Sequence, residues 1–101
     1  MKIDELKKNS EEVADILKTI GHPKRLMILC FLCQAEHTVN ELELLCEISQ
    51  SQLSQFLKRM ELEGLISSRK EGKFVKYKIE NFKVAALINS LYGIFCGKKA
   101  K

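Results

Sequence analysis

Four side chains of this 101-residue chain are thiols: Cys30, Cys33, Cys46 and Cys96. A cysteine can fill a core, ligate a soft metal or undergo redox chemistry, and spacing separates these roles. Cys30-Phe31-Leu32-Cys33 brings two sulfurs to one helix face and spells Cys-x-x-Cys. A thioredoxin-like enzyme needs that motif at a helix N-terminus after a strand. Here it falls late in an apolar helix with no βαβ pattern, so no catalytic activity is expected. All four cysteines sit in hydrophobic segments, unlike the loop-rich frames of secreted disulfide scaffolds. Cys46, in line with Leu42 and Leu45, reads as a small hydrophobe. His22 reads as a helix cap and His37 as a loop residue, neither as a metal ligand.

A second group has a different chemistry. Gln50, Ser51, Ser54 and Gln55 gather at the N-terminal end of a segment whose Leu53, Phe56, Leu57 and Met60 share an inward helical face. Their amides and hydroxyls can donate to and accept from base edges, without a charge that would hold phosphates indiscriminately. Lys58, Arg59, Arg69, Lys70, Lys73 and Lys76 follow as candidate contacts to the DNA backbone. Seventeen basic against thirteen acidic residues leave only +4 overall, so DNA binding rests on where the charges fall.

These residues need elements to carry them. At 46% hydrophobic and 30% charged, the chain has the composition of one globular domain over 1–101, too small to hide an all-apolar helix without a partner chain. Ile3, Leu6, Val13, Ile16, Leu17 and Ile20 predict a first helix over 3–19, with Ser10-Glu11-Glu12 as a restart signal should it break. Gly21-His22-Pro23 ends it, and Pro23 opens a second helix to about Gln34 whose stretch Leu26–Cys33 is apolar throughout, placing it at the domain centre. Thr38-x-x-Glu41 and Ser49-x-x-Gln52 read as capping boxes of two short helices separated by Glu47 and Ile48, a helix-turn-helix ended by Gly64. Leu65–Arg69 and Phe74–Ile79 flank Lys70-Glu71-Gly72-Lys73 as a β-hairpin. A last helix, Phe82–Cys96, is apolar nearly all round. The expected architecture is mainly α with a β-hairpin wing: a winged helix-turn-helix of five helices and two strands, whose second short helix enters the major groove. No apolar run approaches the roughly 20 residues of a membrane span, and the N-terminus lacks a secretory stretch, so a cytoplasmic protein is expected.

Three stretches carry a family resemblance: Leu17-Lys18-Thr19-Ile20-Gly21-His22-Pro23-Lys24-Arg25-Leu26-Met27-Ile28-Leu29, Ser49-Gln50-Ser51-Gln52-Leu53-Ser54-Gln55-Phe56-Leu57, and Glu63-Gly64-Leu65-Ile66. Together with the element order, which spans almost the whole chain, they resemble the ArsR family of bacterial repressors. Phe56 departs from the histidine often found there. The resemblance implies a homodimer through the first and last helices and binding to double-stranded operator DNA, an inverted repeat. Many members sense metals through a Cys-x-Cys on the first helix of the helix-turn-helix, or through Asp, His and Glu on the last helix. Here the first stretch is Thr38-Val39-Asn40-Glu41, and residues 82 to 97 contain no Asp, Glu or His, so no metal and no cofactor is expected.

Cys30 and Cys96 instead resemble the paired cysteines of the persulfide-sensing branch. In that branch the reduced dithiol binds DNA, and reactive sulfur species bridge the two thiols and weaken binding. Thiols on helices whose Cα atoms lie beyond about 7 Å cannot close a plain disulfide without backbone movement, whereas inserted sulfur lengthens the reach. Lys98 and Lys99 are expected to favour the Cys96 thiolate, and the apolar setting of Cys30 to oppose its own. Two alternatives stand beside this reading. One is an arsenite or soft-metal site from Cys30, Cys33 and Cys96; the other is a winged-helix module with no effector.

Overall fold

Asn9 divides the first helical stretch in two. Its Nδ2 donates to the Glu5 carbonyl at 3.0 Å, so its own backbone N–H shifts to the Leu6 carbonyl, and Ser10 Oγ donates to the Lys7 carbonyl at 3.0 Å. Short polar side chains here compete with the helix ladder. In place of one helix over 3–19 stand α1 (Ile3–Lys8) and α2 (Ser10–Ile20). The computed structural model describes residues 1–97.

Pro23 occupies the first position of α3 (Pro23–Gln34), where its missing N–H removes no helix bond, and His22 Nδ1 caps the turn by accepting from the Lys24 N–H at 3.1 Å. Ile28, Leu29 and Leu32 of α3 are buried, whereas Met27 is exposed and Cys30 and Cys33 are half-buried. The helix therefore does not lie wholly inside the chain, as its unbroken apolar run predicts. His37, expected in a loop, belongs to a two-residue strand, β1 (His37–Thr38).

Thr38 then caps α4 (Val39–Cys46) with both bonds of the box: the Glu41 N–H donates to Thr38 Oγ1 at 3.2 Å, and the Thr38 N–H to Glu41 Oε1 at 3.0 Å. That N–H, and His37 after it, hold the Glu41 carboxyl below the usual carboxylate range. Glu47 is left-handed at φ 53°, and Ser49 Oγ accepts from the Gln52 N–H at 3.2 Å to start α5 (Gln50–Leu62). Among the described residues only this half of the second expected box forms. Gly64, at φ 78°, closes α5: its N–H reaches the Glu61 carbonyl and that of Leu65 the Met60 carbonyl, each at 3.0 Å, the paired bonds of a Schellman end.

The wing is β2 (Ile66–Glu71) and β3 (Phe74–Ile79), antiparallel from Ile66 opposite Ile79 to Glu71 opposite Phe74. Its turn is Gly72-Lys73 alone, shorter than the four residues expected, because Gly72 takes φ 63° without a Cβ to strain. β1 adds to the far edge of β3, with His37 opposite Tyr77 and Thr38 opposite Lys76, in the order β1-β3-β2. Asn81 Oδ1 accepts from the Lys83 N–H at 2.9 Å and starts α6 (Phe82–Tyr92). The last helix does not run on to Cys96 as an α-helix: from Gly93 to Gly97 it widens into one π-helical turn that carries Cys96. Among the described residues the count is six α-helices and three strands, not five and two; the winged helix-turn-helix class stands.

Ile28 and Leu29 of α3, Leu42 of α4, Leu53, Leu57 and Met60 of α5, Ile66 of β2 and Val84 of α6 form the fully buried centre. Each such side chain stabilises the fold by about 1.5–3 kcal/mol relative to exposure. Together they hold α5 with its N-terminal end outward. A second apolar set lies outside this core: Ile3 and Leu6 of α1, Val13 and Leu17 of α2, Phe82 and Tyr92 of α6, and Ile94 and Phe95 of the π turn, all exposed.

Candidate functional site

α5 alone supplies four of the expected base-reading residues. Gln50, Ser51, Ser54 and Gln55 are all exposed, while Leu53, Leu57 and Met60 turn the opposite face into the core. Exposed backbone N–H groups and the positive end of the helix dipole lie at the same end, where a DNA phosphate is favoured. Phe56 is only half exposed and packs against the core, so it does not present its ring as the polar four present their side chains.

The expected backbone contacts divide into paired and unpaired cations. Arg59 Nε donates to Glu63 Oε2 at 3.0 Å, and the Glu63 carboxylate also accepts from Thr19 Oγ1 at 2.8 Å, which ties α5 to α2. Arg69 Nη2 donates to Glu36 Oε1 at 2.7 Å and its Nη1 lies 3.3 Å from Glu71, whose carboxylate is also 3.4 Å from Lys76 Nζ. Lys76 first, and Arg69 after it, hold the Glu71 carboxyl below the usual range. Ser68 Oγ donates to Glu61 Oε2 at 2.8 Å and fastens the wing to α5. Exposed charge pairs of this kind add little to stability but define the angle of the wing. Lys58, Lys70 and Lys73 are exposed, and among the described residues none of the three has an ion-pair partner. They are the cations freest to meet phosphates, with Lys73 at the wing tip.

The thiols form a second group, with Cys30 and Cys33 on α3, Cys46 at the end of α4 and Cys96 on the π turn. Cys30 is half-buried on α3, and burial first, then the charge of Cys96, pushes its thiol up from the ordinary range. Cys96, on the π turn, is exposed. α3 packs against α6, the helix that the turn carrying Cys96 continues. The Cys33 thiol is raised by burial and then by Cys30; that of Cys46 is raised by burial, with Lys24 opposing and Cys30 adding to the rise. Cys46 is buried in the core, the place its neighbours imply. Lys98 and Lys99, expected to favour the Cys96 thiolate, lie outside the described residues. No three His, Cys, Asp or Glu side chains among the described residues converge closely enough to hold a metal ion.

Lys24, Arg25 and Thr19 escape a reading by motif, although each joins the N-terminal half of the chain to the helix-turn-helix. One signal was present: two cations open α3, in the turn where the helix dipole favours anions, so they need tertiary partners.

The family model for bacterial regulatory proteins of the arsR family matches residues 22–68. The biofilm growth-associated repressor of Agrobacterium fabrum is 44% identical over 91 residues, which is 90% of this chain and 78% of that protein. The solved structure of the transcriptional repressor BigR from Xylella fastidiosa is similar at a TM-score of 0.90 and 40% identity, covering 97% of this chain and 100% of that one. Reduced HlyU of Vibrio cholerae matches at 0.85 and 39%, covering 92% and 98%; HlyU is called a transcriptional activator. The chain belongs to the arsR family of bacterial regulatory proteins and is a winged-helix, DNA-binding regulator of transcription resembling BigR and HlyU.

Proposed function

We propose that the protein is a homodimeric repressor whose hold on an inverted-repeat operator is lowered when reactive sulfur species bridge Cys30 to Cys96. The carrying observation is the placement of the two thiols: Cys30 is half-buried on α3, which packs against α6, and Cys96 is exposed on the turn that continues α6. In the first step a thiolate attacks a hydropolysulfide, forming a persulfide on the protein and expelling a shorter sulfide chain. The second thiolate then displaces hydrosulfide from that persulfide. The two cysteines lose two protons and two electrons, and the polysulfide is reduced. The chain has no catalytic turnover of its own and works in the cytoplasm, beside the DNA. Repression is supported by the similarity to the Agrobacterium and Xylella repressors, and a redox variable by the similarity to HlyU solved in its reduced form.

The test is mass spectrometry of the protein after a hydropolysulfide, peroxide or arsenite, run beside DNA-binding titrations. A mass change linking Cys30 to Cys96, with loss of DNA affinity under hydropolysulfide, is the expected result. Arsenite-driven release dependent on Cys33 would install the three-thiolate reading, and affinity indifferent to thiol state an effector-free module.

The DNA side carries its own expected outcomes. Gln55→Ala lowers operator affinity by roughly 1–3 kcal/mol, and Lys73→Ala weakens binding to all sequences and reduces the salt slope by about one. Competition titrations against random DNA separate them: an equal loss on both duplexes removes Gln55 from base reading. A two-fold dimer with one α5 per chain protects half-sites about one helical turn, ~10 bp, apart, which footprinting measures. A single protected half-site at saturation contradicts it.

A further inference from the structure

The two cations that open α3 are both engaged. Lys24 Nζ donates to the Cys46 carbonyl at 3.2 Å and lies 3.5 Å from that of Glu47, at the C-terminus of α4, where the helix dipole favours a positive charge. Those two residues lead directly into α5. Arg25 sets its guanidinium over the ring of Phe56, 5.5 Å from the centroid, and the His22 ring meets the same ring edge-on at 5.1 Å. His22 is itself fixed, since its Nδ1 accepts from the Lys24 N–H. Arg25 Nε is buried without a hydrogen-bond partner, an unfavourable placement that the face of the Phe56 ring offsets.

Phe56 is next to Gln55 and shares α5 with all four exposed base-reading residues, yet it points back at α3. One end of α3 therefore grips both the turn before the reading helix and that helix's flank. We propose that Lys24, Arg25 and Phe56 are positioning residues for operator binding, a clamp that fixes the pose at which Gln50, Ser51, Ser54 and Gln55 enter the groove. The clamp goes beyond the thiol reading and does not depend on it. It rests only on DNA binding.

The test uses the full chain under reducing conditions. Its probes are a duplex selected by the wild-type protein from a random library, and a scrambled duplex of the same length. Arg25→Met and Phe56→Leu each keep apolar bulk while ending the cation–ring contact. Each is expected to weaken the selected duplex by about three- to tenfold, to change the scrambled one by less than about twofold, and to leave the salt slope unaltered. The double variant is expected to lose little more than either single one, because both remove one shared contact. Arg25→Lys, which keeps a cation over the ring, recovers most of the loss. Where Phe56→Leu melts below the assay temperature, the Arg25→Met and Arg25→Lys pair decides alone. Three results overturn the proposal: a salt slope reduced by about one with equal loss on both duplexes, which makes Arg25 a phosphate contact; unchanged affinity for the selected duplex; or fully additive losses.

Discussion

Cys30→Ser or Cys96→Ser is expected to abolish the release of operator DNA by a hydropolysulfide, whereas Cys46→Ser is expected to leave it intact. A bridge lowers affinity only as far as it is better tolerated in the conformation that binds DNA poorly, typically by 1–3 kcal/mol, or about 5- to 150-fold. Both ends of such a bridge have a mechanical role here. Cys96 belongs to the π turn, and Cys30 to α3, the same helix whose first turn holds Phe56 and the α4–α5 connection. In the proposed mechanism, drawing α3 toward the final turn would shift that grip and move the exposed end of α5 with it. Cys46 meets this linkage only through its backbone carbonyl, which a serine keeps, and its side chain is buried in the core, so its loss is one of packing. Cys33→Ser is the sharper control. A response lost as fully there as in Cys30→Ser would replace the dithiol with a three-thiolate site.

The same thiols give the response a pH dependence of known sign. Burial first, then Cys96, raises the Cys30 thiol, so its thiolate is scarce near neutrality and the bridging rate climbs as pH rises through and beyond the ordinary thiol range. The folded chain also holds the Cys30, Cys33 and Cys46 protons more tightly than the unfolded chain does. The stability linked to them is complete below the ordinary thiol pKa and is lost as pH rises through the raised folded-state values. Thermal melts in reductant at increasing pH check this: a steeper alkaline loss in Cys30→Ser than in the wild type contradicts it.

What could be read from the sequence was local. The Thr38 capping box, Gly64 beyond α5 and Gly72 in the wing each place a special residue within a few positions of the backbone group it serves. The polar end of α5 was legible for the same reason, because one helix carries all four residues. The third strand was not: His37 and Thr38 become a strand only because Tyr77 and Lys76 pair with them, and nothing in two residues announces a distant partner. Asn9 also deceived, since the apolar spacing of α1 and α2 continues across it while its side chain takes the bond that would join them. At the site, the pairing of Lys24 with carbonyls 22 residues away and of Arg25 with Phe56 follows from packing alone. So does the division of the cations, with Arg59, Arg69 and Lys76 paired and Lys58, Lys70 and Lys73 without an ion-pair partner among the described residues, since it depends on which carboxylates the fold brings near.

Phe95→Ala is expected to dissociate the proposed dimer and to remove most of the operator affinity with it. Ile94 and Phe95 on the π turn, Phe82 and Tyr92 on α6, and Ile3 and Leu6 on α1 are all large, apolar and exposed in the single chain, with Phe95 at 80%. A groove of about 360 Å³ between the N-terminal helices and α6 is lined by Leu6, Val13, Ile16 and Leu87 together with Asn9 and the paired Glu12 and Lys83. Left in water, such a patch invites association, and the first and last helices are the elements through which the family resemblance implies pairing. In a two-fold interface every residue counts twice. Removing a buried phenylalanine side chain at about 1.5–3 kcal/mol per copy therefore weakens the dimer by about 3–6 kcal/mol, roughly 10²- to 10⁴-fold in its dissociation constant. A monomer brings one α5 to one half-site and forgoes the second, so specific binding falls with dimerisation while the fold persists. Sedimentation velocity across a concentration series, paired with DNA titration, reads both effects. A wild-type monomer at micromolar concentration would refute the interface outright, and a Phe95→Ala dimer as tight as the wild type would move it to another surface. Leu6→Ala repeats the test from α1, far in sequence from either thiol, and separates loss of assembly from any disturbance of Cys96.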